Sequence, residues 1–94
     1  MPLSQYTVTL GATAAPAVTA HTPFAIVRVE NETGNAAVNF GTLAITSTDY
    51  AGTVLAGPAA AVTLGSGTLG IVNLEDLYFL GTNTQKIHLT VFTP

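Results

Sequence analysis

The chain has 94 residues; 48% are apolar, yet only 7% are Asp, Glu, Lys or Arg, against roughly a quarter in an ordinary soluble domain. With a net charge of −3, two basic side chains and no cysteine, it lacks the means for a phosphate-binding surface, a polybasic lipid surface, a disulfide framework or a thiolate metal site. Seven charged side chains (Arg28, Glu30, Glu32, Asp49, Glu75, Asp76 and Lys86) cannot cover a small domain, so its exterior must be Thr, Ser, Asn, Gly and Ala with some exposed apolar groups.

The N-terminal run Met1 to Tyr6 has neither a charged n-region nor an apolar h-region, so no signal peptide is expected. Nine Gly and five Pro, with abundant Thr, argue for short strands between turns. Gln5 to Leu10 alternates, with Tyr6, Val8 and Leu10 on one face and Gln5, Thr7 and Thr9 on the other, which predicts a half-buried strand ended by Gly11. Residues 12–22 are small and are interrupted by Pro16, so an edge strand is expected around Ala17 to Ala20. Residues 1–23 as a whole read as an arm or an edge strand.

Phe24 to Glu30 is the clearest strand. Its alternation places Ala25, Val27 and Val29 on one face and Phe24, Ile26, Arg28 and Glu30 on the other. Asn31 to Asn35 reads as a turn, after which Ala36 to Phe40 returns as a hairpin partner. Leu43 to Thr46 is a further expected strand, broken by Ser47 to Gly52. Gly57-Pro58 marks a turn, and Ala60 to Leu64 a strand with Val62 and Leu64 inward. Leu69 to Val72 reads as a short strand. Asn73 followed by Glu75 and Asp76 predicts one helical or 3₁₀ turn. Tyr78 to Leu80 is a strand, Gly81 to Gln85 a hairpin loop, and Lys86 to Phe92 the last strand, with Ile87, Leu89 and Val91 inward.

Turn signals at short intervals and the lack of any amphipathic helix predict an all-β fold. The expectation is a single antiparallel β-sandwich or small barrel over residues 1–94, with about seven to nine short strands.

The polar inventory offers no assembled chemistry. His21 and His88 lack metal-ligand spacing. Glu75 and Asp76 are adjacent on a tight turn, so they point apart and suit the positive end of that turn better than an acid–base pair. Gly65, Gly67 and Gly70 match a G-x-G-x-x-G spacing without the strand and helix a dinucleotide loop needs. No catalytic residue, cofactor or metal site is expected. Asn31-Glu32-Thr33 matches a glycosylation sequon, read as coincidental. The candidates that remain are apolar. Phe24, Ile26 and Phe92 fall out of phase with the core residues of their strands, and exposed contiguous apolar surface marks contact sites.

The run Asp49 to Leu64 resembles a "G-x-x-L-x-x-G-x-x-x-x-L" passage of small virion proteins of tailed bacteriophages. Leu74-Glu75-Asp76-Leu77-Tyr78-Phe79-Leu80-Gly81-Thr82 resembles their "L-x-x-L-Y-x-x-G-T" element, followed by a terminal strand like Lys86 to Val91. Val27 to Asn35 is similar to their "V-x-N-x-G-x" hairpin, with one extra residue between Asn31 and Gly34. The resemblance implies a β-sandwich head decoration (cement) or minor capsid protein. Its implied place is the capsid surface after synthesis in a host cytoplasm. The implied partners are the major capsid protein and further copies of itself, a trimer being the favoured state, with no nucleic acid and no membrane. The alternative is a fibre or tail module that recognises a host surface glycan, for which Tyr6, Tyr50 and Tyr78 are the available stacking rings.

Overall fold

The computed structural model describes residues 3–11, 13–42, 45–46, 48–56 and 60–94, with Leu69 described by its backbone. Eight strands are present among the described residues: β1 Leu3–Thr9, β2 Ala15–Pro16, β3 Ile26–Asn31, β4 Val38–Gly41, β5 Gly52–Val54, β6 Ala61–Gly65, β7 Tyr78–Leu80 and β8 Lys86–Phe92. Two 3₁₀ turns, Thr68–Gly70 and Leu74–Asp76, lie between β6 and β7. The fold is all-β, as expected.

The strands form two four-stranded antiparallel sheets, the first in the order β1-β8-β3-β6 and the second in the order β2-β7-β4-β5. Successive strands mostly change sheet, and this order is that of an eight-stranded jelly roll. The inward phase of each strand supplies the core. Val8, Val27, Val29, Ile87, Leu89 and Val91 come from the first sheet, and Val38, Phe40, Val54 and Phe79 from the second. Phe24, Ile71, Leu74 and Leu77 come from the connections and join the same core.

The turn readings hold as turns but not as hairpins. Asn31 to Asn35 does reverse the chain, with the Asn35 N–H donating to the Glu32 carbonyl at 3.1 Å and Gly34 at φ 90°. However, β3 lies in the first sheet and β4 in the second, so the connection arches over the core. Gly81 to Gln85 does the same between β7 and β8. Turn chemistry determines that a chain reverses; which sheet receives the next strand depends on where its apolar face is buried.

Other expectations need correction. The edge strand expected at Ala17 to Ala20 is instead Ala15–Pro16, paired with Tyr78–Phe79 of β7. The Ala17 N–H extends that pairing, to the Leu77 carbonyl at 2.8 Å. Residues 69–72 form no strand; a 3₁₀ turn ends at Gly70 with φ 73°, and Ile71 drops into the core. The strand expected at Leu43 to Thr46 falls partly outside the described residues, and Ile45 and Thr46 are not in a strand. Gly57-Pro58 lies outside them altogether. β5 was unforeseen, because three residues starting at a glycine carry almost no period-2 signal.

Candidate functional site

The first sheet shows one face to the core and the other outward. On the outward face the register aligns Leu3, Phe92 and Ile26 in one cross-strand row that ends at Gly65. Leu3 is 53% exposed and Ile26 39%, while Phe92 between them is half-buried. Val72, also exposed, belongs to the same end of the sandwich, because its carbonyl accepts the Phe24 N–H at 3.4 Å.

Two of the three apolar interface candidates are therefore direct neighbours on the surface. Phe24 is not with them: it is only 2% exposed and packs in the core. A bend at Ala25 interrupts the alternation, and the strand proper starts at Ile26. Extrapolating period 2 backwards through that bend put Phe24 on the wrong side.

Along the same face the rows change character. The second row is Gln5, Thr90, Arg28 and Thr63, and the third Thr7, His88, Glu30 and Ala61. Arg28 pairs with Glu30 two residues on, Nη1 to Oε1 at 2.6 Å. His88 donates from Nε2 to Glu32 Oε2 at 2.8 Å and lies within 3.3 Å of the Thr7 hydroxyl through Nδ1. The face thus runs from apolar at one end to hydrogen-bonded and charged at the other. A shallow hollow of about 310 Å³ lies over Gln5, Thr7, His88 and Thr90.

The other titratable cluster ties connections together. Glu75 accepts the Thr22 backbone N–H on Oε1 at 2.9 Å and the His21 Nδ1–H on Oε2 at 2.7 Å. The Thr22 N–H is the main cause holding the Glu75 carboxyl below its ordinary value; desolvation opposes it, and the backbone N–H of Glu75 itself and then His21 add smaller lowering effects. Leu74 reinforces the clamp by donating its N–H to the Thr22 carbonyl at 2.7 Å. Asn73 makes no side-chain cap to the turn it precedes. Sequence reasoning missed this long-range role of Glu75, since nothing local to it signals residues 21 and 22.

It also missed Asn31, which is buried at 1% exposure. Asn31 Nδ2 donates to the carbonyls of Ala36 at 2.9 Å and Leu55 at 3.2 Å, and Oδ1 accepts from Asn35 Nδ2 at 3.1 Å. Asn35 in turn reaches the Lys86 carbonyl at 2.6 Å. The sequon residue is thus a structural knot, sealed from any glycosyl donor in the folded state.

An open groove of about 510 Å³ lies between β1 and the segment around β2, lined by Tyr6, Thr7, Val8 and Thr9 on one wall and by Pro16 and Val18 among others opposite. Of the three tyrosines, Tyr6 borders this groove, Tyr78 is half-buried on β7, and Tyr50 is exposed on the connection before β5. Among the described residues no group of three or more His, Cys, Asp or Glu is placed to hold a metal ion, and no helix is long and apolar enough to cross a membrane.

No protein-family model matches the chain, and no curated protein matches it. A solved structure described as "Bacillus endospore appendages form a novel family of disulfide-linked pili" aligns over 99% of this chain and 87% of that one, at 17% identity and a TM-score of 0.43. The linkage named there has no counterpart in these 94 residues, which hold no cysteine. At that identity and score the likeness does not extend to function.

Proposed function

We propose that this chain is a non-enzymatic structural protein of a tailed-phage virion, a decoration protein that docks on the major capsid protein and stabilises the shell. The observation that supports it most is the outward face of the first sheet, where Leu3, Phe92 and Ile26 form an apolar row that holds no charged side chain, charge entering with Arg28 in the next row. Docking by such a row requires little desolvation of ions. Many weak equivalent contacts over a particle then sum to a large effect. The motif likeness supplies the virion setting. The jelly-roll topology adds little, because one fold hosts many functions.

The non-enzymatic part rests on how the titratable groups are used. Glu75 holds a connection, Glu32 meets His88, and Arg28 meets Glu30. No acid, base and charge-stabilising group converge on one cavity among the described residues.

The test is to strip the protein from particles and measure their resistance to heat and osmotic shock, then restore it as wild type or as Leu3→Asn/Ile26→Asn. Stripping lowers resistance, wild type restores it, and the double variant binds at reduced occupancy. Unchanged resistance after stripping removes the stabilising role. Gold labelling at the tail together with a positive glycan array would move the reading to host-glycan recognition.

A further inference from the structure

The backbone of β1 has an unused side. Leu10 donates its N–H to the Gln85 carbonyl at 2.8 Å and accepts from the Thr84 N–H at 2.9 Å, so its polar groups point toward β8. Backbone groups alternate in direction along a strand. Ser4, Tyr6 and Val8 therefore share the direction of Leu10, opposite Val91, Leu89 and Ile87. The other side of β8 agrees with this phase, since the Phe92 carbonyl accepts the Ala25 N–H at 2.8 Å on the β3 side. The N–H and C=O groups of Leu3, Gln5, Thr7 and Thr9 then point outward from the sheet edge. Among the described residues these groups have no hydrogen-bond partner, and the groove of about 510 Å³ runs beside them.

Edge strands are normally guarded by charge, proline, shortness or a bulge. The second sheet follows that practice: β2 has two residues and contains Pro16, and β5 has three and begins with Gly52. β6, the other edge of the first sheet, has five residues and ends in Gly65. β1 has seven residues in regular alternation, with no charge, proline or glycine.

We propose that β1 is a self-pairing edge, which joins two copies of this chain antiparallel about a two-fold axis into one continuous eight-stranded sheet. The occupant is a second copy because β1 is complementary to itself. An axis at Tyr6 places Gln5 of each copy opposite Thr7 of the other, and Leu3 opposite Thr9. All four outward-pointing residues are then in hydrogen-bonded positions. Tyr6 faces Tyr6 at the non-hydrogen-bonded position, where cross-strand side chains approach most closely and an aromatic pair is favourable. Lys86, beside Thr9 in the register, lines up with uncharged Leu3 and Phe92 of the second copy, so no like charges meet. A two-fold contact between identical surfaces closes on itself and leaves no edge of this kind exposed. The inference does not rest on the virion reading.

The test is amide hydrogen exchange and light scattering on the full chain over a concentration series. Expected is a dimer at high concentration, with the Gln5 and Thr7 amides becoming protected as it forms. Gln5→Pro removes an outward N–H without touching the β8 ladder, and weakens the dimer on the order of tenfold or more. Should that variant not fold, Gln5→Lys on the exposed face weakens dimerisation in the same direction. A monomer throughout the series overturns the proposal. So does a dimer or trimer in which the Gln5 and Thr7 amides exchange freely, or a dimer indifferent to both variants.

Discussion

Phe24 and Ile26 are two residues apart in sequence, yet Phe24 is sealed in the core at 2% exposure and Ile26 lies on the surface at 39%. The bend at Ala25 separates their fates. Truncating Phe24 leaves a cavity, so Phe24→Ala is expected to cost about 3–5 kcal/mol. Ile26→Ala should cost about 1 kcal/mol or less in the isolated chain. Urea denaturation of the two variants checks the contrast; equal costs would contradict the bend.

Glu75 links stability to acidity. Its folded pKa lies below the ordinary value, so ionised Glu75 favours the folded state. That contribution is fully present above the unfolded glutamate pKa, about 4.3. It fades as pH falls through that value and the lower folded one. Thermal melts from pH 7 downward should show Tm falling in the acid range, with a shallower fall in Glu75→Gln.

Asn31 makes three side-chain hydrogen bonds from a buried position, two within the β3–β4 connection and one to the β5–β6 connection. Asn31→Ala strands the Ala36 and Leu55 carbonyls and is expected to cost about 2–3 kcal/mol. Asn31→Asp should cost at least as much, because a carboxylate cannot donate to them. Chemical denaturation measures both, and a near-neutral Asn31→Ala would remove the knot as a stabilising feature.

Thr84 holds φ 72°, a left-handed conformation that β-branched residues resist. Thr84→Gly relieves that strain at the cost of a looser unfolded chain, for a net gain of up to about 1 kcal/mol. An increase in Tm is the expected readout; a fall would mean that the Thr84 side chain contributes more than its backbone costs.

Gly52 lies beneath the Phe40 ring, where an added Cβ would come within 2.5 Å of Cζ. Gly52→Ala therefore forces β5 or the ring to shift, and should cost about 1–3 kcal/mol. Near-ultraviolet circular dichroism would follow the disturbed aromatic packing alongside the loss of stability.

The strands that could be read from sequence were those with long period-2 runs. β1, β3 and β8 are legible to within a few residues, and their inward sets match the core except for Ala25, which lies at the bend before β3. What stayed hidden was non-local. Asn31 and Glu75 looked like turn formers because their partners lie far along the chain at Leu55 and at His21 and Thr22. The outward row was half visible. Ile26 and Phe92 were singled out on phase, but that they are cross-strand neighbours, with Leu3 beside them, depends on a register no single strand encodes. The free side of β1 was likewise invisible, since strand order alone makes it an edge.

β8 sits between β1 and β3 although it follows every other strand in the chain. During synthesis, then, β1 emerges from the ribosome long before its ladder partner β8 exists. The first sheet cannot begin to zip at its centre until β8 has cleared the exit tunnel. Such high contact order predicts slow folding that waits on the synthesis of β8. It also leaves a sticky, uncharged strand waiting in the nascent chain, where premature pairing between neighbours on one messenger would be the characteristic route to misassembly.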